Sequence, residues 1–201
     1  MPAAGGSGAG TAGFCWVDVL LAMALAATMA AMTVPLTART IEAARARDAA
    51  AFVAARIRLA RQDAAATGRA VAIVFDEGPR GWGLRVCRDG TGNGVRRADI
   101  ASGRDRCTAG PWALADLFPR LTVALDPSLP GIDGDDDGGG GEAVRFGRGA
   151  MTSCSSGGGC TPGTIFLRGA SGDQYAVRVG GTTGRTRALR FDPANATWGP
   201  G

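Results

Sequence analysis

The sequence predicts an α+β fold, in which a long N-terminal helix, transmembrane and then amphipathic, packs on an antiparallel β-rich head. Two observations lead to this prediction. The first third of the chain is apolar and alanine-rich with helical spacing of its larger side chains, and strand-like runs separated by glycine-rich turns fill the remainder. A helix followed by a series of strands is typical of the α+β class.

The chain divides into four predicted segments. Residues 1–13 form a leader peptide that is small, rich in glycine and alanine, and uncharged. Residues 14–37 form a transmembrane or filament-core helix, because Val19–Leu36 is 18 residues without a charge, close to the length that crosses a bilayer. Residues 38–67 continue the helix as an amphipathic segment that Thr67-Gly68 ends, and residues 68–201 form the head domain.

The head is predicted to contain seven strands, of which the last three form an antiparallel meander. Alternating or continuous apolar runs between glycine-rich turns mark them. The predicted strands are residues 69–75, 81–88, 121–125, 143–146, 163–168, 174–179 and 185–191.

Composition excludes several kinds of chemistry. The chain has 201 residues and a net charge of +4, and all of its 22 basic residues are arginine. It contains no histidine, so it can build neither a Ser-His or Cys-His nucleophile pair nor a histidine-ligated metal site. Because the sequence also lacks a convergent acid–base pair, we predict that the protein is not an enzyme.

A single acid, Asp18, lies at the start of the apolar run. A carboxylate at the edge of such a segment is energetically costly and needs a partner. If a peptidase cuts between Gly13 and Phe14, Phe14 carries a free amine that can meet Asp18 of the next subunit in a stack of helices. The alternative is a tolerated acid at a membrane interface.

These residues carry a resemblance. Gly13, Phe14 and an acid at the fifth position after Gly13, followed by about twenty apolar residues, resemble the class III signal of type IV pilins and pseudopilins. The resemblance implies that a prepilin peptidase cleaves after Gly13, that Phe14 is N-methylated, and that Asp18 aids assembly. The family usually has Glu where this chain has Asp18, and the leader here has no Lys or Arg.

The head extends the resemblance to GspH/FimT-type minor pseudopilins. The matching segments are Pro162-Gly-Thr-Ile-Phe-Leu, Tyr175-Ala-Val-Arg-Val and Gly184-Arg-Thr-Arg. The resemblance implies a structural component that initiates or caps a type IV pilus or a type II secretion pseudopilus. It also implies a single pass through the bacterial inner membrane with the head outside the cytoplasm, and other pilins or pseudopilins as partners. An uncleaved bitopic membrane protein is an alternative.

In the FimT branch, a matching Gly-Arg-x-Arg segment is linked to DNA binding during uptake, so a DNA-binding minor pilin is a further alternative. Arg185, Arg187 and Arg190 are the candidate phosphate-binding residues, because guanidinium groups pair bidentately with phosphates. Arg185 and Arg187 share one strand face, whereas Arg190 does not. The competing interpretation is an exposed strand on an arginine-rich protein.

Four of the five cysteines lie in the head, and in an exported domain they form two disulfides with three alternative pairings. Short loop closures favour Cys87 with Cys107 and Cys154 with Cys160. Free thiols are the alternative.

Two acidic segments are weak candidates for calcium. Asp89-Gly-Thr-Gly-Asn93-Gly resembles the first half of a calcium loop, but Ile100 stands where the second half needs a glutamate. The run that contains Asp133, Asp135 and Asp137 is adjacent to four glycines, which leave it little preorganisation. We therefore favour a glycine-rich hairpin tip and a solvated loop, and expect no cofactor, with calcium as the alternative.

Overall fold

The computed structural model describes residues 16–132, 142–147 and 149–201, and only the helical backbone of residues 32–39. The described part of the chain is α+β. The chain divides into two compact units, of which the first ends at Thr40 and the second is Ile41–Gly201. The long N-terminal helix contributes residues to both.

Three helices and nine strands make up the described residues. The helices are α1 (Trp16–Thr67), α2 (Arg97–Ala101) and α3 (Leu114–Leu117). The strands are β1 (Val71–Gly78), β2 (Gly81–Arg88), β3 (Arg106–Ala113), β4 (Val144–Arg145), β5 (Met151–Cys154), β6 (Gly163–Arg168), β7 (Gln174–Val179), β8 (Thr186–Asp192) and β9 (Thr197–Pro200).

Helix α1 has 52 residues and owes its length to its composition, since alanine is the strongest helix former. It ends where the sequence predicts. Gly68 follows the last helical residue with φ +68°, the left-handed conformation that commonly terminates a helix. The predicted first helical residue, Phe14, lies outside the described residues.

The prediction of a transmembrane helix is wrong for the part of the chain that the structure describes. Within that part, no helix contains a stretch long and apolar enough to cross a membrane. A membrane-spanning helix needs about 20 apolar residues.

Two antiparallel sheets form the rest of the second unit. The first has the strand order β3-β2-β1-β5, and the second has the order β4-β6-β7-β8-β9. In the first sheet, β1 and β2 pair without a break from Val71 opposite Arg88 to Gly78 opposite Gly81. In the second sheet, β6, β7, β8 and β9 form a continuous meander.

One apolar core joins α1 to both sheets. The helix contributes a stripe of small and branched side chains, all at most 3% exposed: Ala46, Ala49, Ala50, Val53, Ala54, Ile57, Ala60 and Ala64. These spacings of three and four residues place the side chains on one helical face. The sheets contribute the inward-facing residues of β1 and β2 and those of β6 and β7. Phe75 and Phe146 stack with ring centroids 5.2 Å apart.

A second, smaller cluster lies on the other face of the first sheet. It contains Ala72, Val74, Cys87 and Val95, and the segment between β2 and β3 covers it. Cys87 is bonded to Cys107, its partner in the register of β2 and β3. This disulfide closes the loop that covers the cluster.

Several predicted strands differ from the observed ones. Residues 121–125 do not form a strand, because β4 pairs with the neighbouring edge of β6 and leaves only a bridge between Thr122 and Arg168. Conversely, β3, β5 and β9 are not predicted from the sequence. Strand β3 contains Gly110-Pro111, and such residues are tolerated only because β3 is an edge strand.

Candidate functional site

The N-terminal part of α1 exposes large apolar side chains. Those that are 40–84% exposed are Trp16, Val17, Val19, Leu20, Leu21, Met23, Leu25 and Met29. Contiguous apolar surface of this kind marks a site of interaction with another protein or with a membrane. We call these eight residues the apolar segment.

Asp18 lies within this segment, in the first turn of α1. A carboxylate there interacts favourably with the positive end of the helix macrodipole. No side chain in the described residues forms an ion pair or a hydrogen bond with Asp18, which is exposed. Gly13 and Phe14, the predicted cleavage and methylation residues, lie outside the described residues.

The Gly184-Arg185-Thr186-Arg187 segment enters strand β8, and Arg58 of α1 binds its backbone. The Arg58 guanidinium donates a hydrogen bond to the carbonyl oxygen of Thr186 at 3.3 Å. Arg61 Nε donates to the carbonyl oxygen of Gly158 at 2.9 Å, in the loop that the Cys154–Cys160 disulfide closes. Helix α1 therefore ties this loop and β8 together.

Gly184 is required at its position by close packing. Its φ is +60°, and a Cβ atom there would lie 2.5 Å from the carbonyl oxygen of Gly158 and 2.8 Å from Cδ of Arg61. Both distances are too short for a side chain. Close packing therefore explains why residue 184 is glycine, independently of any role of the neighbouring arginines.

Arg185 and Arg187 are exposed, and no acid in the described residues pairs with either. Strand alternation places both on the outer face of the second sheet, away from the core. Arg178 of β7 lies directly opposite Arg187 in the register, so a third arginine shares that face.

The same face carries an aromatic cluster that the sequence alone does not reveal. Trp198 of β9 lies with its ring centroid 5.7 Å from that of Phe166 and 5.4 Å from that of Phe191. Trp198 and Phe191 are half-buried. Phe191 is four residues from Arg187 on β8, about 13 Å along the strand. A basic row and an aromatic cluster therefore share one face of the sheet.

Arg190 is not part of this row. Its guanidinium bonds the carboxylate of Asp173 at 3.2 Å, and the register places it opposite Tyr175 on the core-facing side of β7. Tyr175 is buried, and burial raises the pKa of its hydroxyl. The structure thus brings Arg185 and Arg187 together and places Arg190 apart.

The Asp89 loop is organised by its own backbone. Asp89 Oδ1 accepts hydrogen bonds from the N–H groups of Thr91 and Gly92, at 2.9 and 2.8 Å, and Oδ2 accepts one from Gly94 at 2.8 Å. The carboxylate that calcium would require is therefore engaged by the main chain. Asn93, the other candidate ligand, donates to Asp99 at 3.3 Å.

Two further buried acids, Asp99 and Asp105, shape the same segment. The carboxylate of Asp105 accepts hydrogen bonds from the N–H groups of Gly90 and Arg96, at 3.0 and 2.9 Å. The carboxylate of Asp99 forms an ion pair with Arg104 at 3.0 Å. The sequence offered no signal for these roles, which depend on the fold of the β2–β3 connection. In the described residues no group of three or more potential metal ligands occurs. Asp133, Asp135 and Asp137 lie outside those residues.

The head contains two disulfides, Cys87–Cys107 and Cys154–Cys160. Each of these bonds closes a short loop of the chain. Stable disulfides form in oxidising compartments and are rare in a reducing cytoplasm.

Comparisons with protein-family models, with curated proteins and with solved structures return no match.

Replacing Asp89 tests whether the charge of its carboxylate organises the surrounding loop. Burial raises the pKa of the Asp89 carboxyl, but the N–H donors of Gly94, Gly92 and Thr91 outweigh burial and hold its pKa below the ordinary value. A depressed pKa in the folded state contributes stability above the unfolded-state pKa, about 3.9, and this contribution is lost as the pH falls through the folded-state pKa. Asp89→Asn should lower the free energy of unfolding at pH 7 by about 1–3 kcal/mol.

The measurement is urea unfolding of both proteins from pH 7 down to pH 3, with the disulfides intact. The difference between them should shrink below about pH 4, where the Asp89 carboxylate of the unfolded parent begins to protonate while that of the folded parent stays ionised to lower pH. Asp48→Asn, at an exposed helical position, is the matched control and should change stability by less than about 0.5 kcal/mol. A difference that stays constant across this pH range would show that the Asp89 charge does not organise the loop.

Proposed function

We propose that the protein is a minor pilin or pseudopilin, a structural subunit of a pilus-like filament of the type IV pilus or type II secretion kind. The observation that carries this proposal is the exposed apolar segment of α1 with one acid in its first turn. Helices of neighbouring subunits would cover the segment. The role is structural, and the protein initiates or caps the filament.

Burial of apolar surface supplies the driving force for this assembly. Removing apolar area from water contributes about 25 cal/mol per Å². Trp16 is 84% exposed, and Leu20, Leu21, Met23 and Met29 are each more than 60% exposed. A bundle of such helices would bury most of this surface in every copy.

Asp18 would provide orientation within that bundle. A carboxylate that enters an apolar bundle is strongly destabilising unless an opposite charge pairs with it. Cleavage by a prepilin peptidase between Gly13 and Phe14 would create such a charge, the amine of Phe14. The amine of one subunit then binds Asp18 of the next and sets the register between neighbours.

The two disulfides support placement of the head outside the cytoplasm. Cys87–Cys107 holds the connection that covers one face of the first sheet, and Cys154–Cys160 closes the loop that Arg61 contacts. Such bonds persist in oxidising compartments and are rare in a reducing cytoplasm.

Asp18 is the residue to change first. Asp18→Ala should reduce incorporation into filaments by about tenfold or more, the effect of about 1.4 kcal/mol, because the terminal amine of the neighbour loses its partner. Asp18→Glu keeps the charge and should assemble. The measurement is the fraction of subunit in sheared, sedimented filaments when each variant is expressed with a complete assembly system.

Asp48→Ala is the control, since it removes an exposed acid from the same helix outside the apolar segment. Incorporation of Asp18→Ala at the level of the Asp48→Ala control would refute the proposed pairing.

A second candidate function is DNA binding, either alone or as part of the filament. It is favoured by the exposed and unpaired side chains of Arg185 and Arg187 and by the aromatic cluster on the same sheet face. Guanidinium groups bind phosphates, and aromatic rings stack on bases of single strands. Such binding would be independent of sequence and sensitive to salt.

Arg185→Gln/Arg187→Gln should weaken DNA binding and flatten its salt dependence. Loss of two phosphate contacts should reduce the slope of log affinity against log salt by about 1.4–1.8. Fluorescence anisotropy with single- and double-stranded DNA over a range of salt concentrations measures both effects.

Arg190→Gln is the matched control for this experiment, because Arg190 bonds Asp173 and lies off the basic row. It should leave the slope nearly unchanged. Equal slopes for the parent and the double variant would remove the basis of this second function.

A further inference from the structure

A cleft of about 710 Å³ lies in the second unit, away from the basic row. The hairpin end of β1 and β2 forms one wall, and β4 with Glu142 and Ala143 forms another. The residues that line it include Glu77, Trp82, Val123, Leu125, Glu142 and Val144.

Two carboxylates and one indole face this cleft without a partner. In the described part of the chain, the side chains of Glu77 and Glu142 form no ion pair or hydrogen bond. The same holds for the Trp82 ring and its N–H group. The one other acid in the described strands of the first sheet, Asp76, binds both Arg85 and Arg97.

Glu77 and Trp82 are neighbours by register. They face each other across the β1–β2 pair, so their Cβ atoms lie about 4.5–5.5 Å apart on the same face of the sheet. Trp82 is half-buried, and part of its surface packs on the core. A carboxylate therefore lies beside a rigid aromatic ring that has exposed area.

The remaining wall is apolar. Val144 is buried and Val123 and Leu125 are half-buried. An apolar wall suits the methylene stem of a long side chain, while the carboxylates suit its charged end. Glu77 and Glu142 are both exposed, and their negative charges favour a cationic ligand in this cleft.

We propose that this cleft binds an arginine side chain presented by a partner polypeptide. The planar guanidinium stacks on the face of Trp82 and donates paired hydrogen bonds to a carboxylate, which the compact ammonium of lysine cannot do equally well. A polypeptide fits better than a free amine because β4 is the edge strand of the second sheet in the described residues, beside the cleft. An extended chain can lie along such an edge.

The test is a titration of the full-length, ¹⁵N-labelled protein with the peptide acetyl-Gly-Arg-Gly-amide. The readout is the indole N–H signal of Trp82, assigned by its loss in Trp82→Phe. The signal should shift saturably, with a dissociation constant in the millimolar range. The citrulline peptide, which is neutral and nearly the same shape, should give no saturable shift, and the lysine peptide should bind more weakly than the arginine peptide.

Glu77→Gln/Glu142→Gln should weaken binding of the arginine peptide by about fivefold or more, the effect of about 1 kcal/mol. Asp48→Asn is the control for removal of an exposed acid and should bind as the parent does. The spectra themselves show that each variant is folded. Equal shifts with the citrulline peptide, equal binding of the lysine peptide, no saturable shift, or unchanged binding by the double variant would each overturn the proposal.

The free subunit is used throughout, so the titration does not depend on filament assembly. Failure of Asp18→Ala to affect assembly would leave this proposal standing, and failure of the titration would leave the filament proposal standing.

Discussion

The second unit depends on the close approach of helix α1 to two sheets. Six of the eight buried positions in its stripe are alanine, which lets the helix backbone lie near both sheets. The approach is tight enough that a Cβ atom added at Gly169 would lie 3.1 Å from that of Ala46. Arg58 and Arg61, next to Ile57 and Ala60 in the stripe, are thereby brought within hydrogen-bonding distance of β8 and of the Cys154–Cys160 loop. One helix face thus builds the core and positions the basic segment.

The two parts of helix α1 differ in whether their apolar side chains are buried or exposed. Residues 46–64 bury their apolar stripe within the chain, whereas residues 16–29 leave theirs exposed. A chain that exposes Trp16, Leu20 and Met23 is expected to bury these side chains against other molecules. In our account that cover comes from the same segment of neighbouring subunits, with Asp18 supplying the one directional contact. The head is held separately, by its own core and its two disulfides.

The sequence predicted those elements whose signals are local. Strands β2, β6 and β7 match the predicted bounds because alternating apolar residues and flanking turn residues define them. Strands β3, β5 and β9 depend on edge pairing with distant segments, which leaves no local pattern. Likewise, the alternation of side chains along a strand is enough to predict that Arg185 and Arg187 share one face. The aromatic cluster could not be predicted in this way, because it depends on the pairing of β8 with β9. The role of Asp89 could not be predicted, since its partners are backbone N–H groups that only the folded loop directs toward it.

In the proposed filament, helix α1 is buried by its own head at residues 46–64 and by neighbouring subunits at residues 16–31. Hydrogen exchange followed by mass spectrometry on the free subunit and on assembled filaments tests it most directly. We expect strong protection of residues 46–64 in both states, and protection of residues 16–31 only in filaments. Exchange of residues 16–31 at the same rate in both states would contradict it.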